Sequence, residues 1–233
     1  MNVILFGATG MIGQGVLRQC LRDDSVDRVL AIGRSPLGVE HPKLRELVQP
    51  DPSDLSALEP ELAGYDACFF CLGVSSVGMK EDAYRRVTYD LTLAVARPLA
   101  AANPALTFVY VSGEGTDSTE QGRSMWARVK GRTENALLQL PFQAYMFRPG
   151  IVLPERGVTS KTRLYRAAYA ATRPLFPLLR RLAPNLVTTT GQIGRAMITL
   201  ATTGTTGTTA TDSTTRILRP HDINRLAEPA PQR

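Results

Sequence analysis

The sequence predicts an α/β fold, a doubly wound and mostly parallel sheet, from three observations. Short apolar runs recur without strict in–out alternation, as strands buried on both faces require. Stretches with helical apolar spacing fill the gaps between those runs. The first run ends in three glycines at a spacing of three, Gly7, Gly10 and Gly13, where a strand turns into a helix. With 233 residues, the chain suits one domain over 1–233, large enough for a sizeable core. Residues 151–233 are expected to contribute the substrate side and a small, irregular C-terminal part.

Taken in order, the first strand is Val3 to Phe6, a continuous apolar run with β-branched members. Gly15 to Leu21 follows as a helix, with Val16, Leu17, Cys20 and Leu21 apolar. Val26 to Ile32 is the second strand, ending in Gly33-Arg34-Ser35-Pro36. Glu46 to Gln49 is a short third strand, followed by Asp51-Pro52-Ser53-Asp54, where Ser53 or Asp54 suits the cap of a helix from Leu55. Ala67 to Leu72 is a fourth buried strand, with Gly73 at its end. Glu81 to Ala102 reads as one long helix with Tyr84, Val87, Leu91, Val95 and Leu99 on its apolar face, kinked by Pro98.

Thr107 to Val111 is the fifth strand, and Ser112-Gly113-Glu114-Gly115 leaves its C-terminal end. Ser124 to Leu140 is the next helix and carries Trp126 and Lys130. Phe142 to Phe147 is the sixth strand, closed by Arg148-Pro149-Gly150-Ile151. The last third is less regular. Leu164 to Leu182 mixes apolar residues with Arg166, Arg173, Arg180 and Arg181 and is broken by Pro174 and Pro177. Thr190 to Ala201 is helical in pattern, and threonine-rich Thr202 to Thr215 suits a surface loop or a ragged strand. Arg216 to Arg219 makes a final strand, Asp222 caps a helix from Ile223 to Ala227, and Glu228 to Arg233 frays.

Composition narrows the partners. The net charge of +6 is uneven, because eight basic and no acidic residues fall between Arg156 and Thr211 and the rest is slightly acidic. A balanced chain with one basic stretch points away from nucleic acid and towards a small, anionic or phosphate-bearing ligand. No basic-then-apolar leader opens the chain and no apolar run reaches the length of a membrane span, which predicts a cytoplasmic protein. Cys68 and Cys71 have metal-ligand spacing, but positions three apart in a strand face opposite ways and no second Cys/His pair completes a zinc site, so no metal is expected.

The glycine turn carries the main chemical signal. A strand, then Gly7-Ala-Thr-Gly-Met-Ile-Gly13, then a helix is the context in which a backbone approaches a pyrophosphate closely. The helix N-terminus offers free amides and a positive dipole end. Arg34 stands 21 residues beyond Gly13, where an acid would grip a ribose 2′-hydroxyl. An arginine there, with Ser35 beside it, accommodates a 2′-phosphate, so NADP is expected over NAD. Asp51 would lie near the adenine edge.

Gly7-Ala-Thr-Gly-Met-Ile-Gly13, Cys71-Leu-Gly73, Tyr110-Val-Ser112, Trp126-Ala-Arg-Val-Lys130 and Arg148-Pro-Gly150 occur in the order of a known family. Over roughly residues 1 to 200 the chain resembles an atypical short-chain dehydrogenase/reductase of the epimerase/dehydratase and NAD(P)H-binding type, built on a Rossmann fold. The resemblance implies cofactor contacts from Gly7, Thr9, Gly10, Met11, Ile12, Gly13, Arg34, Ser35, Asp51, Leu72, Gly73, Lys130, Pro149, Gly150 and Ile151. It also implies a catalytic tyrosine four residues before the lysine, and a serine or threonine after the fifth strand that holds the substrate oxygen. Lys130 and Ser112 stand in matching places, but the tyrosine position is Trp126. An indole has an N–H donor and no group that titrates near neutrality. The family's hydroxyl often falls slightly later than Ser112, where this chain has Gly113 and Glu114. Tyr84, Tyr89 or a water would have to supply the proton.

Three functions follow. The first is an NADP-binding regulator without the usual catalysis. The second is an active NADP-dependent oxidoreductase or sugar-nucleotide epimerase with another proton donor. The third is a protein that uses the basic stretch Arg156–Arg181 on a membrane surface. Substrate and oligomeric state are open at this stage.

Overall fold

The computed structural model describes residues 1–55, 58, 61–155, 186–203 and 216–228. Its strands are β1 (Asn2–Phe6), β2 (Arg28–Gly33), β3 (Leu44–Val48), β4 (Ala67–Phe70), β5 (Thr107–Val111), β6 (Gln143–Phe147), β7 (Ile151–Leu153), β8 (Val187–Thr189) and β9 (Ile217–Leu218). Seven of them form one sheet in the order β3-β2-β1-β4-β5-β6-β9, and every neighbouring pair is parallel. β7 and β8 form a separate parallel pair. The strand order reverses beside β1, and in doubly wound sheets that point opens a crevice at the strand C-termini.

The helices are α1 (Met11–Arg22), α2 (Glu81–Arg85), α3 (Leu91–Ala102), α4 (Met125–Leu138), α5 (Thr190–Thr203) and α6 (Pro220–Leu226). Successive strand residues point to opposite faces, so the sheet carries two cores. Val3 and Leu5 join Val16, Ile193 and Ile223 from α1, α5 and α6 on one face. Ile4 and Phe6 join Val95, Leu99 and Leu137 from α3 and α4 on the other. The second core holds a row of rings, Phe6, Phe70, Phe108 and Phe142, with successive centroids 5.5, 5.8 and 4.9 Å apart. Cys68 and Cys71 part in the same way, Cys68 into the second core and Cys71 against the first. Burial pushes both thiols up, Cys71 to about 12.

Several elements depart from expectation for local reasons. The stretch read as one helix, Glu81 to Ala102, is interrupted by a π turn at Arg86–Asp90, and α3 runs on through Pro98. The wider turn adds a residue, so Thr88 is buried while Val87 is exposed. Ser53 turns its amide and hydroxyl to Asp51, at 2.9 and 2.5 Å, and most of the segment expected as a helix capped by Ser53 or Asp54, residues 56, 57, 59 and 60, lies outside the described residues. Ile151 begins β7 rather than closing β6. Asp222 is not the first residue of the cap: α6 starts at Pro220, and the Asp222 carboxylate reaches back to accept the Arg219 amide at 3.0 Å. A proline suits the first helical position because its missing N–H has no helical partner there. α5 is capped reciprocally, with the Gln192 amide donating to Thr189 Oγ1 and the Thr189 amide to Gln192 Oε1. It also takes in Thr202 and Thr203, read from sequence as the start of a surface loop or a ragged strand. Most of the basic stretch, including Arg163 and Arg166, and residues 204–215 lie outside the described residues.

Candidate functional site

The C-terminal end of β1 runs straight into the glycine turn. Gly7 sits at φ +82°, where an added Cβ would also come within 2.8 Å of the Cys71 carbonyl and the Leu72 amide. A Cβ on Gly13 would collide with the Gly7 carbonyl, so the first turn of α1 lies directly on the strand end. The N-cap is Gly10, with no side-chain cap and no acid in the first turn. Amides and a positive dipole end are therefore left to an external anion.

Beside this turn is a hollow of about 290 Å³, lined by Gly7, Thr9, Arg34, Ser35, Glu46 and Leu72 among others. It runs from the glycine turn, across the end of β2, to β3. The structure thus brings together five residues expected at a cofactor, namely Gly7, Thr9, Arg34, Ser35 and Leu72, while Gly10, Met11, Ile12 and Gly13, which follow in the turn and the start of α1, do not line the hollow. Asp51 does not line the hollow. Its carboxylate is taken by Ser53, whose hydrogen bonds hold it below the usual carboxylate range, and Pro52 faces the space instead. Gly73, Lys130, Pro149, Gly150 and Ile151 do not line it. Sequence reasoning missed Glu46. Its strand position opposes Ala31 of β2, a pairing with no local signature, and its Oε2 accepts the Leu37 amide at 2.8 Å.

The ends of β5 and β6 hold a buried polar network. Ser112 is 8% exposed, and its hydroxyl donates to Glu134 Oε1 at 2.5 Å and lies 3.2 Å from the Phe147 carbonyl. Arg148 Nε donates to both Glu134 oxygens, at 3.1 and 3.2 Å, and the guanidinium also reaches Ser118. The expected substrate-holding hydroxyl is thus turned inward, into an ion pair rather than a cleft. Arg148, the head of the Arg-Pro-Gly segment, is a structural cation. The Glu114 amide donates to the Pro149 carbonyl at 2.9 Å and ties the two strand-end loops together.

Lys130 projects from α4 and donates to the Ser112 carbonyl, with its ammonium 5.8 Å from the Tyr110 ring centre. Burial pulls the amine down to about 8, while Glu134 one turn away pushes it back up. The folded chain therefore releases this proton near 8 and the unfolded chain near the ordinary 10.5. For this one group the unfolded state holds more protons between those values, so Lys130 contributes stability that grows as pH rises, against the opposite contribution of the buried Cys20, Cys68 and Cys71 thiols above their ordinary value. In thermal melts from pH 7 to 10.5, the stability difference between the parent and Lys130→Met should therefore change in the parent's favour as pH rises; a constant difference would mean that Lys130 titrates alike in both states.

Trp126 lies one turn before Lys130, and its indole edge packs on Gly115, where an added Cβ would lie 3.3 Å from the ring. Neither alternative tyrosine lines the hollow. Tyr84 is buried, which raises its phenol, and Tyr89 has the Arg132 guanidinium 4.9 Å over its ring.

No family model matches the chain. The protein HTATIP2 of Rattus norvegicus is 30% identical over 158 residues, 66% of this chain and 64% of its own length. The protein FMP52, mitochondrial, of Eremothecium gossypii is 32% identical over 164 residues, 69% of this chain and 70% of that one. The match thus spans about two thirds of these relatives. Among solved structures, the Bordetella bronchiseptica enzyme WbmF, in complex with NAD+ and UDP, superposes with a TM-score of 0.65 over 94% of this chain and 71% of its own, at 17% identity. That likeness is one of fold. Among the described residues no helix is long and apolar enough to cross a membrane.

Proposed function

The chain belongs to the atypical short-chain dehydrogenase/reductases, and from that premise we propose that it binds NADP and works as a cofactor-responsive protein without the usual tyrosine chemistry. The observation that carries this reading is the hollow that runs from the glycine turn at Gly7 and Thr9, just before the uncapped α1, to Arg34 and Ser35. A pyrophosphate at the glycine turn would put an adenosine ribose towards the end of β2. There Arg34 meets a 2′-phosphate in a charge-assisted contact. Trp126 in place of the tyrosine supports the second half of the reading.

NADPH is expected to bind more tightly than NADH, and Arg34→Ala to erase most of the difference. A charge-assisted hydrogen bond contributes about 1.5–3 kcal/mol, so NADPH affinity should fall roughly ten- to a hundredfold while NADH affinity stays nearly constant. Calorimetric titration of both dinucleotides decides it. Equal affinities in the unmodified protein would remove the NADP assignment.

A second reading, an active NADP-dependent oxidoreductase or sugar-nucleotide epimerase, is favoured by Lys130. An amine drawn down to about 8 at the strand ends is a proton donor suited to near-neutral chemistry. We further propose a small-molecule ligand, anionic in character because of the cations between Arg156 and Thr211, and not a nucleic acid. We place the protein in the cytoplasm. The fungal relative carries a mitochondrial name, and imaging of a tagged chain distinguishes the two compartments.

A further inference from the structure

We propose that Glu46 is the acid that the end of β2 lacks, and that it sets the balance between phosphorylated and unphosphorylated dinucleotide. The inference deepens the NADP reading and rests on it. In doubly wound sheets an acid at the end of the second strand accepts a ribose hydroxyl and repels a 2′-phosphate. Here Arg34 occupies that region, yet a carboxylate enters the same hollow from the neighbouring strand. Glu46 is placed there by the β2–β3 register, opposite Ala31, and Ala31 lines the hollow too.

The carboxylate is also held in place. Its Oε2 accepts the Leu37 amide at 2.8 Å, which pins the loop bearing Arg34 and Ser35 against β3. The hollow thus presents a half-buried anion fixed by a backbone amide and an exposed cation on a long side chain. No ion pair joins them, so neither charge is consumed by the other. A ribose with a free 2′-hydroxyl can donate to Glu46. A 2′-phosphate draws Arg34 in but approaches Glu46 as a like charge. The two residues pull cofactor choice in opposite directions, and discrimination between NADPH and NADH is smaller than Arg34 alone would produce.

Glu46→Gln tests this cleanly, because glutamine keeps an oxygen to accept the Leu37 amide and loses only the charge. NADPH, NADH, 2′,5′-ADP and 5′-AMP are titrated calorimetrically into the unmodified protein, Glu46→Gln and Glu46→Ala at low ionic strength. The glutamine variant should bind NADPH and 2′,5′-ADP about three- to tenfold more tightly, and NADH and 5′-AMP no more tightly than before. The alanine variant also loses the acceptor for Leu37 and should bind all four more weakly than the glutamine variant. A glutamine variant with an unchanged ratio of NADPH to NADH affinity overturns the proposal and leaves Glu46 a loop anchor. Failure of the NADP reading looks different: Arg34→Ala then leaves the ratio unchanged, whatever Glu46→Gln does. If no nucleotide binds the unmodified protein, both readings fall.

Discussion

Glu134→Ala is expected to remove about 3–5 kcal/mol of folding stability, the usual consequence of stripping one partner from a buried ion pair. Glu134 is fully buried in α4, and among the described residues it is the only carboxylate bonded to Arg148, whose side chain is 8% exposed. Truncation strands a guanidinium in the core and leaves the Ser112 hydroxyl, among the described residues, with the Phe147 carbonyl as its one acceptor. Desolvation makes the loss large, since an exposed pair of the same geometry contributes about 1 kcal/mol or less. For a chain of this size each kcal/mol shifts the melting temperature by about 2–4 °C, so a drop on the order of 6–20 °C is expected. Replacing both partners, Glu134→Met with Arg148→Met, should recover much of it, because the stranded charge goes as well. Urea melts of the parent and the two variants measure this. A single variant within about 1 kcal/mol of the parent would mean that water reaches the pair and that Arg148 is free to serve a ligand.

The network also shows why the Arg-Pro-Gly segment was legible as a motif and illegible in its role. Its place after the sixth strand is a local matter of sequence order. Its job is set by Glu134, which belongs to another element. The same division runs through the chain. The glycine turn could be read because each requirement is local: a positive φ at Gly7, no room for a Cβ at Gly13, and a helix straight after. β1, β2, β4, β5 and β6 could be read because parallel strands buried on both faces leave continuous apolar runs, whereas the edge strand β3, half-buried and carrying Arg45 and Glu46, starts two residues before the stretch read from sequence. The break in the helix after β4 could not be placed. Pro98 is visible in sequence, whereas the π turn at Arg86–Asp90 has no residue signature and shows only in the exchange of Val87 for Thr88 on the buried face. Glu46 escaped for a similar reason, since its neighbours across the sheet are fixed by register and not by sequence distance. Ser112 was placed at the correct strand end, but the direction of its hydroxyl depends on a helix that begins more than ten residues later.

The unmodified protein is expected to bind NADPH yet turn over generic carbonyl substrates slower than a tyrosine-bearing relative by about 10²–10⁴-fold, the usual contribution of a placed proton donor. Trp126 motivates this. It stands one helical turn before Lys130, on the face where a phenol would have its ionised form favoured by the neighbouring ammonium. An indole cannot titrate near neutrality, and its apolar edge packs on Gly115 in the loop after β5. Trp126→Tyr should raise turnover of NADPH with a small aldehyde by at least about tenfold, a part of the full factor. Only a part should return, because the Ser112 hydroxyl is already donated to Glu134 and gives the substrate oxygen no second donor. Steady-state assays of the parent, Trp126→Tyr and Trp126→Phe separate the outcomes. Brisk turnover by the parent, matched by Trp126→Phe, would show that another group supplies the proton. Lys130, drawn down to about 8, is then the first candidate. Its signature would be a rate that falls as pH rises through about 8, where the ammonium loses the proton to be delivered. That pattern would decide for the active oxidoreductase or epimerase over the cofactor-responsive regulator.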